Sequence, residues 1–279
     1  MAYKTLTTII AADTGLNEVV DAAVSFARLH DAHLDVCCLG VDNTQAAGFY
    51  AGAPAMIYQE ALDQARAVAE KLETQVRARL SGADIRWGTD SAVLTLGGLA
   101  SYVGLRARFS DLVILPRPYG HDRGINDEAV IEAALFDGQA AVLVLPEGVD
   151  RIGTFDRIVL AWNQSNESLR AARRSLPLLK VADLVNIVVI DPPGHGPERS
   201  DPGGLLTQML ARHGVRAEVS VLARTLPSVS ETLRRHLADV DADLLVMGAY
   251  GHSRLREAIL GGATRDILEN PGKPVFMAH

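Results

Sequence analysis

Short apolar runs bounded by polar residues recur along this chain, with longer stretches of helical periodicity between them. Thr8-Ile-Ile-Ala-Ala-Asp13 reads as a strand ending in a polar residue, and Glu18 to Arg28 as the helix that follows it. A second strand is expected at Leu34-Asp-Val-Cys-Cys-Leu39. The same order is then written again: Arg157-Ile-Val-Leu-Ala-Trp-Asn163, a helix from Glu167 to Leu176, and a strand from Leu184 to Ile190. Later parts repeat as well. Ser110 to Leu115 parallels Ala242 to Met247, Ala140 to Pro146 parallels Lys273 to His279, and Tyr119-Gly-His121 parallels Tyr250-Gly-His252. The offset is 150 from Asp13 to Asn163 and 132 from Asp111 to Asp243, so the first copy carries extra residues in its middle.

Strands alternating with helices predict an α/β fold, a parallel sheet flanked by helices, here twice in tandem. A half of about 140 residues has room for about five strands and four helices. The polar, Gly-containing stretch Glu147 to Thr154 is the expected boundary, giving an N-terminal domain over 1–148 and a C-terminal one over 155–279. Within the first copy, Ala55 to Leu80 reads as one long amphipathic helix. Ile57, Ala61, Ala65, Val68, Leu72 and Val76 form its expected buried stripe. The matching stretch of the second copy is shorter, Gly203 to His213. A further helix begins near Ser228, where Ser228 and Glu231 form a capping box. Ala46 to Tyr58 is an apolar, Gly-rich insertion, read as a loop packed over its own domain rather than a lid or contact surface.

Composition narrows the picture. Apolar residues make up 48% but aromatics only 5%, so aliphatic side chains and alanine must fill the cores. That suits buried parallel strands under Ala-rich helices. The formal charge is −7 with no long basic run, which argues against nucleic acid or an anionic membrane as partner. No apolar stretch reaches the roughly 20 residues of a membrane span. The start of the chain reads as a strand rather than a signal peptide, since Asp13 interrupts it early. Cys37 and Cys38 are neighbours on a strand, point to opposite faces and are poorly placed for a mutual disulfide. They are expected to be reduced, in a cytoplasmic protein.

The most specific chemistry lies near the C-terminus. Gly248-Ala-Tyr-Gly251 directly follows the strand-like run Asp243 to Met247. Nine residues later Gly261-Gly262-Ala-Thr264 opens a helix-like run. Glycines let a backbone approach an anion closely, and free N–H groups at a helix start donate to its oxygens. Arg254, Arg256 and Arg265 add positive charge nearby.

This spacing resembles the nucleotide loop of the universal stress protein family, which runs glycine, two residues, glycine, nine residues, glycine, then a hydroxyl residue. Every glycine is matched, but Gly262 stands where serine or threonine is expected. The resemblance covers nearly the whole chain as a tandem pair. It implies two Rossmann-like domains of the adenine nucleotide alpha hydrolase-like kind, each with a five-stranded parallel sheet. It also implies pairing through the last strand, here Val142 to Leu145 and Val275 to Ala278, in a homodimer or an intrachain pseudo-dimer. The implied ligand is ATP or AMP, with magnesium accompanying ATP, and the implied role is stress survival through an unidentified protein partner. Carried over residue by residue, Asn163 takes the place of an acidic residue near the adenosine. Val189 supplies backbone contacts to adenine, and Gly248, Gly251, Gly261 and Gly262 form the phosphate loop. Arg254 adds its charge, and Thr264 offers a hydroxyl one turn on.

The first copy departs from this pattern. Pro116 replaces Gly248 and has no N–H to donate. Gly120 remains, but Asp122, Asp127 and Glu128 add negative charge where a phosphate would sit. Asp13 keeps the acidic residue. The N-terminal domain is therefore expected not to bind a nucleotide.

Other chemistry is weaker. His30 and His33 have a metal-pair spacing but sit at a helix-to-strand turn, and a surface turn is the plainer reading. His252-Ser253 lacks a nucleophile elbow. His195, in the loop Asp191-Pro-Pro-Gly-His195, reads as solvated. No metal site and no catalytic residue is assigned. The alternatives to nucleotide binding are a nucleotide-free interaction module and, more weakly, a slow hydrolase with Asp191 as its only candidate base.

Overall fold

The computed structural model describes residues 3–44, 55–192, 200–249 and 262–279. Two compact units emerge. The N-terminal unit runs to Val142 and takes Glu147–Gly153 with it; the C-terminal unit comprises Thr154–His279 together with Leu143–Pro146. The linker is held in the N-terminal unit by a specific contact, the Ile152 N–H donating to Ser25 Oγ at 2.8 Å.

In the N-terminal unit the order is β1 (Thr5–Ile10), α1 (Leu16–His30), β2 (His33–Asp42), α2 (Ala55–Leu80), β3 (Arg86–Thr95), α3 (Leu96–Arg108), β4 (Leu112–Pro116) and α4 (Ile125–Glu132). A π-helical turn, Ala133–Asp137, follows, and then Val142, the first residue of β5 (Val142–Leu145), whose other residues are counted with the C-terminal unit. The strands are parallel in the order β3-β2-β1-β4. The chain enters β5 at Ala141, whose carbonyl accepts from Val113 N–H at 2.9 Å.

In the C-terminal unit the order is β6 (Arg157–Ala161), α5 (Asn166–Arg174), α6 (Leu176–Leu179), β7 (Leu184–Ile190), α7 (Gly204–Arg212), β8 (Ala217–Leu222), α8 (Val229–Asp239), β9 (Leu244–Gly248), α9 (Ala263–Glu269) and β10 (Val275–Ala278). Its parallel sheet runs β10-β9-β6-β7-β8, so the third, second, first and fourth strands of each unit lie in the same order.

Aliphatic residues fill the sheets, as the scarcity of aromatics requires. β4 buries Leu112 to Leu115, β5 buries Val142 to Leu145, and β9 buries Leu244 to Met247. The α2 stripe differs from its expected set: Ala65, Ala69, Leu72, Val76 and Leu80 are buried, while Val68 is exposed. The stripe drifts because 3.6 residues per turn carry the core-facing line past Val68 to Ala69. Of the insertion from Ala46 to Tyr58, the part up to residue 54 lies outside the described residues, and Ala55 to Tyr58 form the first turn of α2. Ser228 caps α8, accepting the Glu231 N–H at 3.1 Å.

A carboxylate latch at the start of the first strand appears in both units. Asp111 accepts the N–H groups of Lys4 at 2.7 Å and Thr5 at 3.0 Å; Asp243 accepts those of Asp156 at 2.8 Å and Arg157 at 3.3 Å. Thr5 therefore corresponds to Arg157. The strand registers agree, since Leu6 pairs with Leu112 and Ile158 with Leu244. Counted along the strand, Asn163 then falls opposite Ala11; only counted back from the helix does it fall opposite Asp13. The second copy's strand-to-helix loop is two residues shorter.

Candidate functional site

In each unit the sheet reverses its winding between the first and fourth strands. Open parallel sheets bind ligands in the crevice beyond the strand carboxyl ends at such a switch point. In the C-terminal unit this crevice lies between β6 and β9.

Gly248 ends β9. A Cβ there would stand 2.6 Å from Ser168 N and 2.8 Å from the Glu167 carbonyl carbon. The missing side chain lets the first turn of α5 come down onto the strand end. That turn is built from small polar residues. Asn163 Oδ1 accepts the Ser165 N–H at 3.2 Å, Gln164 is left-handed at φ 64°, and Ser165 Oγ caps Ser168 N at 3.1 Å. Asn163 thus spends its acceptor on the turn that aims α5. On the far side of the crevice, Gly262 stands at the N-cap of α9, its carbonyl accepting the Asp266 N–H at 3.1 Å. Thr264 is buried in the first turn of that helix. Gly251, Arg254, Arg256, Gly261, His252 and Ser253 lie outside the described residues, as does His195.

Val189 lies near the end of β7. Its side chain is buried, and it pairs with Val221 inside the β7–β8 ladder. Peptide groups alternate in direction along a strand. Val185 N and Asp191 N donate to β8 carbonyls, whereas Val188 O accepts from Trp162 on the β6 side. Val189 shares the parity that faces β8, so the peptide turned toward the crevice past the end of β6 is that of Ile190. Asp191, at φ 45°, accepts the Arg224 N–H at 3.0 Å and lies 3.7 Å from the Arg224 guanidinium. Its carboxylate is engaged in holding two loops together.

The corresponding crevice of the N-terminal unit, between β1 and β4, is closed by its own side chains. Arg117, the residue after Pro116, is buried; it donates to Tyr119 O at 2.6 Å, Asp122 Oδ1 at 2.6 Å and Glu147 Oε2 at 3.0 Å. Gly120 survives because its Cβ would lie 1.8 Å from the Arg117 guanidinium and because its φ is 133°. Arg123 crosses from the α4 side and donates to Thr14 O at 3.1 Å in the loop after β1. Its guanidinium lies 3.7 Å from both Asp122 and Asp127. Burial pushes the Asp122 carboxyl up, but backbone hydrogen bonding and the two arginines outweigh it and hold the group below the usual range. Asp13, the retained acidic residue, is ion-paired with Lys71 of α2. Asp122 and Asp127 therefore do not confront an incoming phosphate as bare charges. They are neutralised by two arginines that take up the space, and sequence reasoning singled out neither arginine. The alternation of Arg117, Asp122, Arg123 and Asp127 was the available signal.

The two histidines weighed as a metal pair also separate. His30 ends α1 at the turn into β2 and is half-buried, its ring centroid 4.3 Å from Phe26 and 5.2 Å from Tyr3. Burial, with Lys4 nearby, lowers its pKa. His33 Nδ1 stands 3.5 Å from Asp35. Among the described residues no group of three or more His, Cys, Asp or Glu side chains is placed to hold a metal ion, and no helix is long and apolar enough to cross a membrane. Cys37 and Cys38 are both free and buried.

With this geometry in place, comparison with known proteins finds its sequence similarity in the C-terminal unit. A profile of the Universal stress protein family matches residues 154–279. That unit, just under half of the chain, is therefore similar to universal stress proteins. It is 28% identical over 124 residues to the universal stress protein Slr1230 of Synechocystis, a match covering 44% of this chain and 42% of that protein. The chain thus spans less than half of that relative's length. Among solved structures, a universal stress protein from Archaeoglobus fulgidus is similar over 98% of this chain and 95% of its own, with a TM-score of 0.72 at 15% identity. A putative universal stress protein from Pseudomonas aeruginosa covers 99% and 92%, with a TM-score of 0.53 at 14% identity. At such identities the likeness establishes the α/β fold.

Proposed function

We propose that the C-terminal unit binds an adenine nucleotide, ATP or AMP, across the β6–β9 crevice, and that binding couples nucleotide level to the protein's shape or choice of partner during stress. The observation that carries this reading is the placement of Asn163 and Gly248 at the carboxyl ends of two adjacent parallel strands, at the point where the sheet reverses its winding. From there the Gly248–Gly251–Gly261–Gly262 spacing of the universal stress family leads to the start of α9. In this reading the backbone of Gly251, Gly261 and Gly262 faces the phosphates, Arg254 supplies charge, and Ile190 replaces Val189 as the peptide beside adenine. Asn163 keeps its amide N–H groups for the nucleoside. Thr264 acts by packing the first turn of α9, since its side chain is buried. Magnesium would enter with ATP.

Calorimetric titration with ATP, AMP and cyclic AMP tests the reading. Binding should vanish in Gly251→Val and Gly261→Val with the fold intact. Failure of all three ligands to bind would favour a nucleotide-free interaction module. That second reading draws on the absent hydroxyl at Gly262 and the committed acceptor of Asn163. The hydrolase reading is weakened by the engagement of Asp191 with Arg224.

A further inference from the structure

The N-terminal unit carries a second cavity, at the amino ends of its strands and away from the crevice just described. It holds about 520 Å³ between the sheet and α3, within the roughly 300–1,000 Å³ usual for small-molecule sites. Its floor follows from strand register. Thr7, Asp35 and Gly88 form one row across β1, β2 and β3, and Cys37 and Asp90 stand together in the next. Side chains two apart share a face, so one glycine in the middle of this floor opens the space beside Asp35. A Cβ at Gly88 would sit 3.2 Å from Asp35 Oδ1.

The same place in the C-terminal unit is filled. By the latch register, Asn186 corresponds to Asp35, Glu218 to Gly88 and His236 to Gly104. Asn186 Nδ2 donates to Glu218 at 2.8 Å and Ser220 at 2.9 Å, while His236 Nε2 meets Asn186 Oδ1 at 2.8 Å. Only about 210 Å³ remains there. In the N-terminal unit, by contrast, Asp35 accepts no hydrogen bond among the described residues, and His33 is its one ion-pair neighbour.

The charges around the larger cavity are unequal. Asp90 is satisfied by Tyr102 Oη at 3.0 Å and by an ion pair with Arg106. Arg106 also lies over the Tyr102 ring at 5.3 Å. Asp35, about half exposed and with His33 beside it, is the carboxylate of the lining that no Arg or Lys pairs among the described residues. At the mouth, Leu105 is 54% and Phe109 75% exposed, apolar surface that an occupant would cover. We propose that this cavity binds a small amphipathic amine, with its ammonium group on Asp35 and its apolar body against Phe109, Leu105 and the Tyr102 ring. Charge complementarity selects a cation over a neutral or anionic body of the same shape.

Cys37 supplies a reporter, because its thiol lines the cavity while Cys38 points to the opposite face. Burial pushes the Cys37 thiol up to about 11 and the Cys38 thiol to about 12, so both alkylate slowly at neutral pH. The full chain is titrated with phenethylamine, 2-phenylethanol and 3-phenylpropionate by saturation-transfer NMR. N-ethylmaleimide labelling is followed in parallel by tandem mass spectrometry. Phenethylamine is expected to bind and to slow labelling of Cys37, leaving Cys38 unchanged. Asp35→Asn should weaken it about tenfold, the loss of one charge-assisted hydrogen bond, and Gly88→Leu should remove binding by filling the floor. Equal binding of all three probes, amine binding untouched by Asp35→Asn, or no binding at all would overturn the proposal. The Asp35→Asn result decides the matter even if Gly88→Leu fails to fold.

Discussion

The two crevices at the carboxyl ends of the sheets start from the same strand order and end in opposite states. In the C-terminal unit, small residues gather at the switch point: Gly248 lets α5 approach, and Asn163 and Ser165 turn the chain without filling the space. In the N-terminal unit, arginines have moved in. Arg117 and Arg123 lie where backbone would otherwise face a ligand, and each is anchored to a loop carbonyl and to carboxylates of its own unit. The N-terminal unit thus keeps the strand order of its counterpart while arginines occupy this end of its sheet. Most polar groups there are met by side chains and carbonyls of the same unit, while Arg123 Nε is buried without a hydrogen-bond partner. The amino ends show the reverse trade. There the C-terminal unit has filled its floor with Glu218 and His236, and the N-terminal unit has left a cavity beside Gly88.

Removing a plug should cost more than crowding a glycine. Arg117→Ala strips three hydrogen bonds from a buried guanidinium and leaves Asp122 without its closest cation. The expected loss is about 3 kcal/mol, read as a shift in the urea unfolding curve. The residue after Gly248 is Ala249, already buried and apolar, so Ala249→Gly should cost far less. Gly248→Ala comes next, because the new methyl meets the backbone of α5 rather than a movable side chain. A loss of about 1–3 kcal/mol is expected, and an unchanged midpoint would show that α5 can retreat. At the exposed end of the scale, Lys71→Ala breaks the pair with Asp13. Both side chains are at least half exposed, so the change in midpoint should correspond to no more than about 1 kcal/mol.

A pH series separates the two half-buried histidines, His30 and His236. Burial lowers the pKa of His30, with help from Lys4, and also that of His236, against the nearby Asp239 and Glu218. A depressed folded-state pKa means that the unfolded chain binds the proton first. Stability should be fully present above the ordinary histidine value of about 6.5 and should fall as the pH drops below it. Urea midpoints at pH 7.5 and 5.5 measure this, and the drop should shrink in His30→Leu. A flat profile would mean that neither ring is held neutral by its surroundings.

Much of this architecture is legible in the sequence, and the illegible parts share a physical cause. Buried strands such as Leu244–Met247 and the repeated order of elements announce themselves because both faces are covered and the runs are apolar throughout. The edge strands β3 and β8 do not. Arg86–Thr95 has no fully buried residue, and Ala217–Leu222 exposes Val219 and Val221, so neither shows a clean alternation. The glycine spacing after β9 points to a crevice, and the fold places its first glycine at a strand end. The closure of the other crevice was hidden, because it depends on guanidinium groups meeting backbone carbonyls that only the folded loops bring near. Acidic residues 122 and 127 suggested repulsion; the structure pairs them with Arg117 and Arg123 instead. Strand parity turns the Val189 peptide toward β8 and the Ile190 peptide toward the crevice, which hydrogen bonding fixes and position in an apolar run does not.

The asymmetry between the crevices is tested most directly by the stoichiometry of ATP binding, measured calorimetrically on the full chain. One nucleotide per chain is expected, with binding lost in Gly261→Val and kept in Arg123→Ala. Two nucleotides per chain, or binding that survives Gly261→Val and disappears with Arg123→Ala, would place the ligand in the N-terminal unit and contradict the account.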